Sequence, residues 1–342
     1  MTSTPTSLRP QELSRREALA ISAGLVAAGL VGTGGTLGQL EAAEEKGNDL
    51  PIIDCHQHLW DLTKFELAWL KPDSILNKSF LPVNYVAAAH GLGIEQTVYM
   101  EVDVVEKHQQ GEADYLIDLC KNGKTLTKSA VISGRPGSAG FDKYIRQFAN
   151  EPLIKGVRQV LHSDNAPAGT CLQEQFVKSM KLLGELDKSF DLCMRPSELG
   201  DAVKLVEQCP GTRFILDHCG NGDMQAFLPE KRQTQKPNHE VAQWKSDIER
   251  LAKLPNIICK ISGAIARAPK DWTVDDLAPV INHCLDAFGP DRVIFGSDWP
   301  VCLLGATYRE WVTALKKIVA SRPIDDQKKL FSENARKFYK LS

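Results

Sequence analysis

Cysteine is scarce in this chain. Nine cysteines in 342 residues are too sparse, and odd in number, for a disulfide scaffold. Cys55, Cys193 and Cys259 sit inside apolar, strand-like runs, where a reduced buried thiol is the expected state. A long basic block is missing too: 41 Lys and Arg face 43 Asp and Glu, a net charge of −2, so nucleic acid is not an expected partner. Internal repeats and extended low-complexity tracts are absent. What remains is 43% hydrophobic and 25% charged residues, the balance of a soluble globular protein with a sizeable core.

The first 48 residues read as a leader. Ser14-Arg15-Arg16-Glu17-Ala18-Leu19 precedes an uncharged run of mainly Ala, Gly, Leu and Val that continues through Leu40. An Arg pair ahead of a mildly apolar segment is the layout of a bacterial twin-arginine signal and predicts export to the periplasm. Gly24, Gly29, Gly32, Gly34 and Gly35 disfavour a stable membrane-spanning helix there. Cleavage near Ala42-Ala43 would start the mature chain between about residues 41 and 50. Without a working leader the chain would stay in the cytoplasm.

From Leu50 onward, short apolar or β-branched runs alternate with helix-like segments. The strand candidates are Ile52–Cys55, Thr97–Met100, Ala130–Ser133, Ile154–Val160, Phe190–Met194, Arg213–Asp217, Ile257–Ile261 and Val293–Gly296. The spacing leaves room for the crossover helix that parallel strands need. Thr273 with Asp276 and Thr307 with Glu310 read as capping boxes, and Gly91, Gly123 and Gly289 fall where helices should stop. Eight strand–helix units predict an α/β fold, a (β/α)8 barrel over residues 49–342. An open doubly wound sheet is the alternative, but no Gly-rich phosphate loop follows the first strand.

In such a barrel the site lies at the carboxyl ends of the strands. Read in order, those ends carry His56 and His58, Glu101 and Asp103, Arg135, Arg158 and His162, Arg195, His218, Lys260 and Ser262, and Asp298. His56 and His58 lie two residues apart, so on a strand they share a face. Ionised groups in apolar strands are costly unless partnered or facing solvent, which favours the barrel mouth. Every strand delivers a polar or ionisable group to one rim.

These ends also carry a family's motifs. Asp-Cys-His-Gln-His, Asp-Leu-Cys-Met-Arg-Pro, Leu-Asp-His-Cys-Gly, Cys-Lys-Ile-Ser-Gly, Gly-Ser-Asp-Trp-Pro-Val-Cys and Asn-Ala-Arg-Lys-Phe-Tyr occur in that order. From about Pro51 to the C-terminus the chain resembles the amidohydrolase superfamily, in the amidohydrolase-related branch of L-fuconolactonase-like and L-rhamnonolactonase-like enzymes. The resemblance implies hydrolysis of a sugar-acid lactone, with roles for His56, His58, His218 and Asp298. The wider superfamily's two-metal members have a carboxylated Lys or a Glu at strand four and a His at strand five. Arg158, His162 and Arg195 stand there instead, so a two-metal site is not expected. The resemblance implies one divalent ion, Zn or Mn, on His56, His58 and Asp298, or else metal-free chemistry with arginines polarising the substrate, as in relatives similar to pyrone-dicarboxylate lactonase.

In the mechanism so implied, Asp298 takes a proton from the attacking water, and His218, Arg195 or the metal steadies the oxyanion. Each residue also has a plainer reading: Asp298 as a helix N-cap, His218 as a core histidine, Arg195 and Lys260 as members of buried ion pairs with Glu101 or Asp54. Trp60 and Trp299 suit either stacking on a sugar face or packing at the barrel mouth. Arg195, Lys260, Glu101, Arg135 and His162 are further substrate-binding candidates. Two other functions stay open: a metal-dependent decarboxylase of the same branch, and an exported carbohydrate-binding protein without chemistry. Replacing Arg15 and Arg16 with Lys is expected to stop export; fractionation of the producing cells checks this, and unchanged export would remove the leader reading.

Overall fold

The computed structural model describes residues 50–341; the expected leader lies outside the described residues. Eight parallel strands pair in chain order: β1 Ile52–Gln57, β2 Ile94–Met100, β3 Thr127–Ser133, β4 Ile154–Val160, β5 Ser189–Cys193, β6 Arg213–Leu216, β7 Ile257–Ile261 and β8 Val293–Phe295. A helix follows each strand: α1 Pro82–Ala89, α2 Gln109–Lys121, α3 Phe141–Arg146, α4 Glu174–Glu185, α5 Leu199–Gln208, α6 Val241–Ala252, α7 Val274–Phe288 and α8 Tyr308–Val319. Two short helices, α9 Ile324–Lys328 and α10 Asn334–Tyr339, end the chain. This is the expected (β/α)8 barrel. β2 and β3 start earlier than the apolar runs suggest, because their opening stretches include polar residues, the exposed Glu95 and the half-buried Lys128.

Local chemistry sets the helix ends. Thr273 and Asp276 form the expected capping box on α7, and Thr307 and Glu310 form the one on α8. Gly289, with φ of 71°, ends α7 in a conformation that side chains resist. Strands β1 and β8 then meet beyond their ends. Asp298 N donates to His56 O and His58 N donates to Trp299 O, both at 2.8 Å.

The barrel interior is layered. Ile53, Val98, Val131, Ile215 and Ile294 form an apolar layer beneath which Ala335 and Tyr339 of α10 pack. The charges are buried elsewhere in the interior. Lys260 Nζ, wholly buried, lies 2.6 Å from Asp191 Oδ2 and 3.0 Å from Asp217 Oδ1. Arg158 Nε donates to Glu101 Oε1 at 2.6 Å and Nη2 to the Glu101 carbonyl at 2.7 Å. Burial opposes the charge on Asp217, but the Lys260 ammonium and His56 outweigh it and hold this carboxyl well below the usual range. Burial likewise opposes the Lys260 charge, and Asp191 and Asp217 hold it on.

A buried ion whose partner is removed is far costlier than an apolar replacement of the whole set. Lys260→Met is therefore expected to cost about 3–5 kcal/mol, read from urea denaturation. A loss below about 1 kcal/mol, the scale of an exposed pair, would contradict the account.

Candidate active site

Asp298 follows β8 with φ of 58°, a left-handed conformation that is strained for a side-chain-bearing residue. Its Oδ1 lies 3.2 Å from His58 Nε2 and 3.6 Å from His56 Nε2. The two imidazoles stand edge to face, with centroids 4.9 Å apart. Two histidines at the carboxyl end of β1 and a carboxylate 240 residues after His58 thus converge. Gly296 makes room for the approach: a Cβ there would lie 2.6 Å from His56 Cβ.

His218 opens a turn in which His218, Cys219, Gly220 and Asn221 all have positive φ, from 52° to 63°. Such a run costs roughly 1–2 kcal/mol for each residue bearing a side chain, and the surroundings hold it in place. Asn221 Nδ2 donates to Met194 O at 2.6 Å, and Trp244 Nε1 donates to Cys219 O at 3.1 Å. The His218 ring packs 4.4 Å from the His56 ring, with Nδ1 2.9 Å from Ser262 Oγ. Gly263 is required beside it, since a Cβ would come within 2.4 Å of Nδ1. Burial lowers the His218 pKa, against the pull of Asp298 and Asp217, and drives His56 lower still, so both rings are neutral at pH 7.

Above these groups opens a cavity of about 310 Å³, lined among others by His58, Trp69, Asp103, Arg158, His218 and Asp298. A second pocket of about 270 Å³ shares His162, His218, Asn221 and Arg267 with it and adds Arg195. His162 therefore stands at the junction, exposed on the rim. Burial, with Glu101 beside it, pushes the Asp103 carboxyl up to about 6 in spite of Arg135.

Several expected substrate contacts are corrected by this geometry. Lys260 and Glu101 are fully buried and committed to ion pairs, and their partners are Asp191, Asp217 and Arg158 rather than Asp54. Trp60 and Trp299 are also buried: Trp60 Nε1 donates to Lys78 O, and Trp299 packs edge-on against Phe80 and Tyr85. Neither offers a face to a ligand. Arg195 lines only the second pocket and spends its donors on Glu198, Ser163 O and Ala166 O. Arg135 holds Asp103 at 2.9 Å and lines neither pocket. Trp69 and Arg267, which lie in loops without strand-end motifs, were not legible as lining residues.

The comparisons with known proteins agree with this architecture. The amidohydrolase family model matches residues 53–341. This chain belongs to the amidohydrolase family. It is 26% identical to an L-fucono-1,5-lactonase of Burkholderia multivorans over 79% of this chain and 89% of that protein. It is 25% identical to an L-rhamnono-gamma-lactonase of Scheffersomyces stipitis over 85% of this chain and 98% of that one. Among solved structures, an amidohydrolase from Burkholderia multivorans with bound zinc superposes with a TM-score of 0.74 at 22% identity, covering 85% of this chain and all of that one. A manganese-containing 5-carboxyvanillate decarboxylase from Novosphingobium aromaticivorans superposes at 0.58 and 16% identity, covering 86% and 97%.

This amidohydrolase has a donor set that could hold a metal. His58 donates Nδ1–H to Met100 O at 2.9 Å, and its Nε2 faces Asp298 Oδ1 at 3.2 Å. Two acceptors that close repel unless a proton or a cation lies between them. The ligand atoms of His56, His58 and Asp298 all lie within 4.8 Å of one another. His56 Nε2 also accepts from Arg158 Nη1 at 3.1 Å, so an ion using all three would compete with that guanidinium. A second group, Cys219, Cys259 and Cys284, meets the same distance test. It is wholly buried, where thiols pack as small apolar side chains. Zinc titration of the purified protein is expected to fill one site that His58→Ala weakens by about 10–100-fold or more and Cys284→Ala leaves intact. The reverse pattern would move the metal site to the thiols.

Proposed function

We propose that this enzyme opens the ring ester of a neutral sugar-acid lactone. The observation that carries the reading is the Asp298 carboxylate beside the imidazoles of His56 and His58 on a cavity floor. The curated relatives named as lactonases, matched along nearly their whole lengths, support it. Charge narrows the substrate. Arg158 is paired with Glu101, Arg195 with Glu198, Arg267 with Asp223 and Arg135 with Asp103. Each of these guanidiniums is thus balanced by a carboxylate, and among the described residues lining the cavity none brings an uncompensated positive charge for the free carboxylate that a dicarboxylate lactone or an aromatic acid would present. A neutral, hydroxyl-bearing ring is the better match.

In the reaction, Asp298 removes a proton from a water as the water oxygen bonds to the lactone carbonyl carbon. Arg158 brings positive charge to the cavity floor. In the tautomer where Ser262 Oγ–H donates to His218 Nδ1, 2.9 Å away, His218 Nε2 carries a hydrogen that can donate to the developing oxyanion. The intermediate then collapses: the bond from carbonyl carbon to ring oxygen breaks, and Asp298 returns its proton to that oxygen. The product is the open hydroxy acid. A divalent ion on His56, His58 and Asp298, when bound, supplies Lewis acidity and lowers the pKa of water.

Asp298→Asn keeps the shape and removes the base. Its kcat/KM on aldonolactones is expected to fall by about 10²–10⁴-fold with unchanged circular dichroism, measured with a pH indicator with and without chelator. Near-normal activity in the variant would sink the assignment. Carbon dioxide release from aromatic acids, with lactones untouched, would favour the decarboxylase of the same family instead.

A further inference from the structure

The cavity has one wall whose construction exceeds what folding requires. Trp69 is 38% exposed, whereas Trp60, Trp244, Trp299 and Trp311 are buried. Its indole N–H is already spent on Val102 O at 2.8 Å, so what it leaves uncovered is ring surface. The ring is braced edge-on by Trp60, 5.7 Å away, which is itself braced by Phe80 at 5.1 Å. A large aromatic left open on a rigid mount is costly in water and characteristic of binding surfaces.

Asp103 follows Val102 directly, and its backbone is strained, with φ of 49°. Three hydrogen bonds hold this stretch. Val102 N donates to Glu112 Oε1 at 3.0 Å, Asp103 N donates to Glu101 Oε2 at 2.7 Å, and Arg135 Nη2 donates to Asp103 Oδ1 at 2.9 Å. Oδ2 takes no hydrogen bond among the described residues. Asp103 and Asp298 are the carboxylates lining the cavity; Asp298 is committed to the imidazoles and Asp103 is not.

We propose that Trp69 and Asp103 are the specificity determinants of this enzyme, a wall that recognises a polyhydroxylated ring. The indole covers a C–H face, and the free Asp103 oxygen accepts from hydroxyl groups away from the reacting carbonyl. Trp69 and Asp103 share one mount, because Trp69 is bonded to the carbonyl of the residue preceding Asp103. The ring is thereby fixed in both height and rotation. The opposite side, with Asn221, Arg267 and His162, adds the N–H donors of Arg267 beside two side chains that both donate and accept. A sugar ring, whose hydroxyls both donate and accept, satisfies both sides; an unsubstituted lactone satisfies neither. This rests on the lactonase reading for the chemistry, but not for the binding.

The test compares a sugar δ-lactone with δ-valerolactone, and a hydrolysis-resistant sugar lactam with unsubstituted piperidinone, in wild type, Asp103→Asn, Trp69→Ala and Trp69→Phe. Losing a charge-assisted hydrogen bond should lower kcat/KM for the sugar lactone by about 10–100-fold, mainly through KM. Turnover of δ-valerolactone, which has no hydroxyl for Asp103, should change by less than about twofold in Asp103→Asn, and Trp69→Phe should retain most of what Trp69→Ala loses. Equal losses on both lactones in Asp103→Asn, or a loss in kcat alone, would overturn the wall. If wild type hydrolyses neither lactone, the lactonase reading falls and calorimetry decides the wall. Sugar-lactam binding that weakens in Asp103→Asn sustains it, and equal binding, or none in wild type, overturns it.

Discussion

The buried carboxylate of Asp54 is the interaction on which the site depends. It accepts from Ser297 N at 2.8 Å, Ser297 Oγ at 2.5 Å, His56 N at 3.1 Å, Tyr85 OH at 2.8 Å and Tyr308 OH at 2.9 Å. A carboxylate without solvent is tolerable only when its lone pairs are satisfied. Here the donors come from β1 itself, from the end of β8, and from α1 and α8. Satisfying Asp54 therefore ties the first strand to the last and closes the barrel at the point where function needs it. His56, His58 and Asp298 lie within four residues of that knot along the chain.

A second buried network ranks the groups by depth. Lys260 keeps Asp217 ionised, and Asp217 Oδ1 lies 3.6 Å from His56 Nδ1. Arg158 links the same carboxylate, at 3.6 Å, to His56 and to Glu101. Of this network only Arg158 lines the cavity, while Lys260, Asp217 and Glu101 do not. They orient the imidazoles and set the field of the floor, while strained residues with positive φ, Asp103, His218 and Asp298, line the cavity. Strain of this kind persists only where the surroundings over-determine it, and the paired ions and packed aromatics around these three positions do so.

The floor and the walls follow different rules. Floor residues come from strand ends held in register by the barrel, so their places are constrained by the fold. The walls come from the loops after β1, β2, β4, β6, β7 and β8. The loop 221–238, after β6, is pinned. Its Asp223 is fully buried and bonded to Arg267, Gln225 and Asn238. Such loops can change lining without disturbing the floor, which is how one barrel serves many reactions.

The sequence by itself determined the eight strand–helix units, two helix caps, and the order of polar residues along one rim, because periodicity and capping are local properties carried by neighbouring residues. It also pointed to His56, His58, His218 and Asp298, since each stands where a strand pattern ends. Only the tertiary structure decided which ionisable residues face a ligand and which face one another. Lys260 and Glu101 look like site residues in the chain, yet their partners Asp191, Asp217 and Arg158 lie on other strands, and a buried charge takes whatever partner the barrel brings within reach. Trp69 was hidden for the converse reason. Whether a tryptophan packs or stays open depends on the aromatic beside it in space, and for Trp60 and Trp69 that is set by how the loop after β1 folds back on itself.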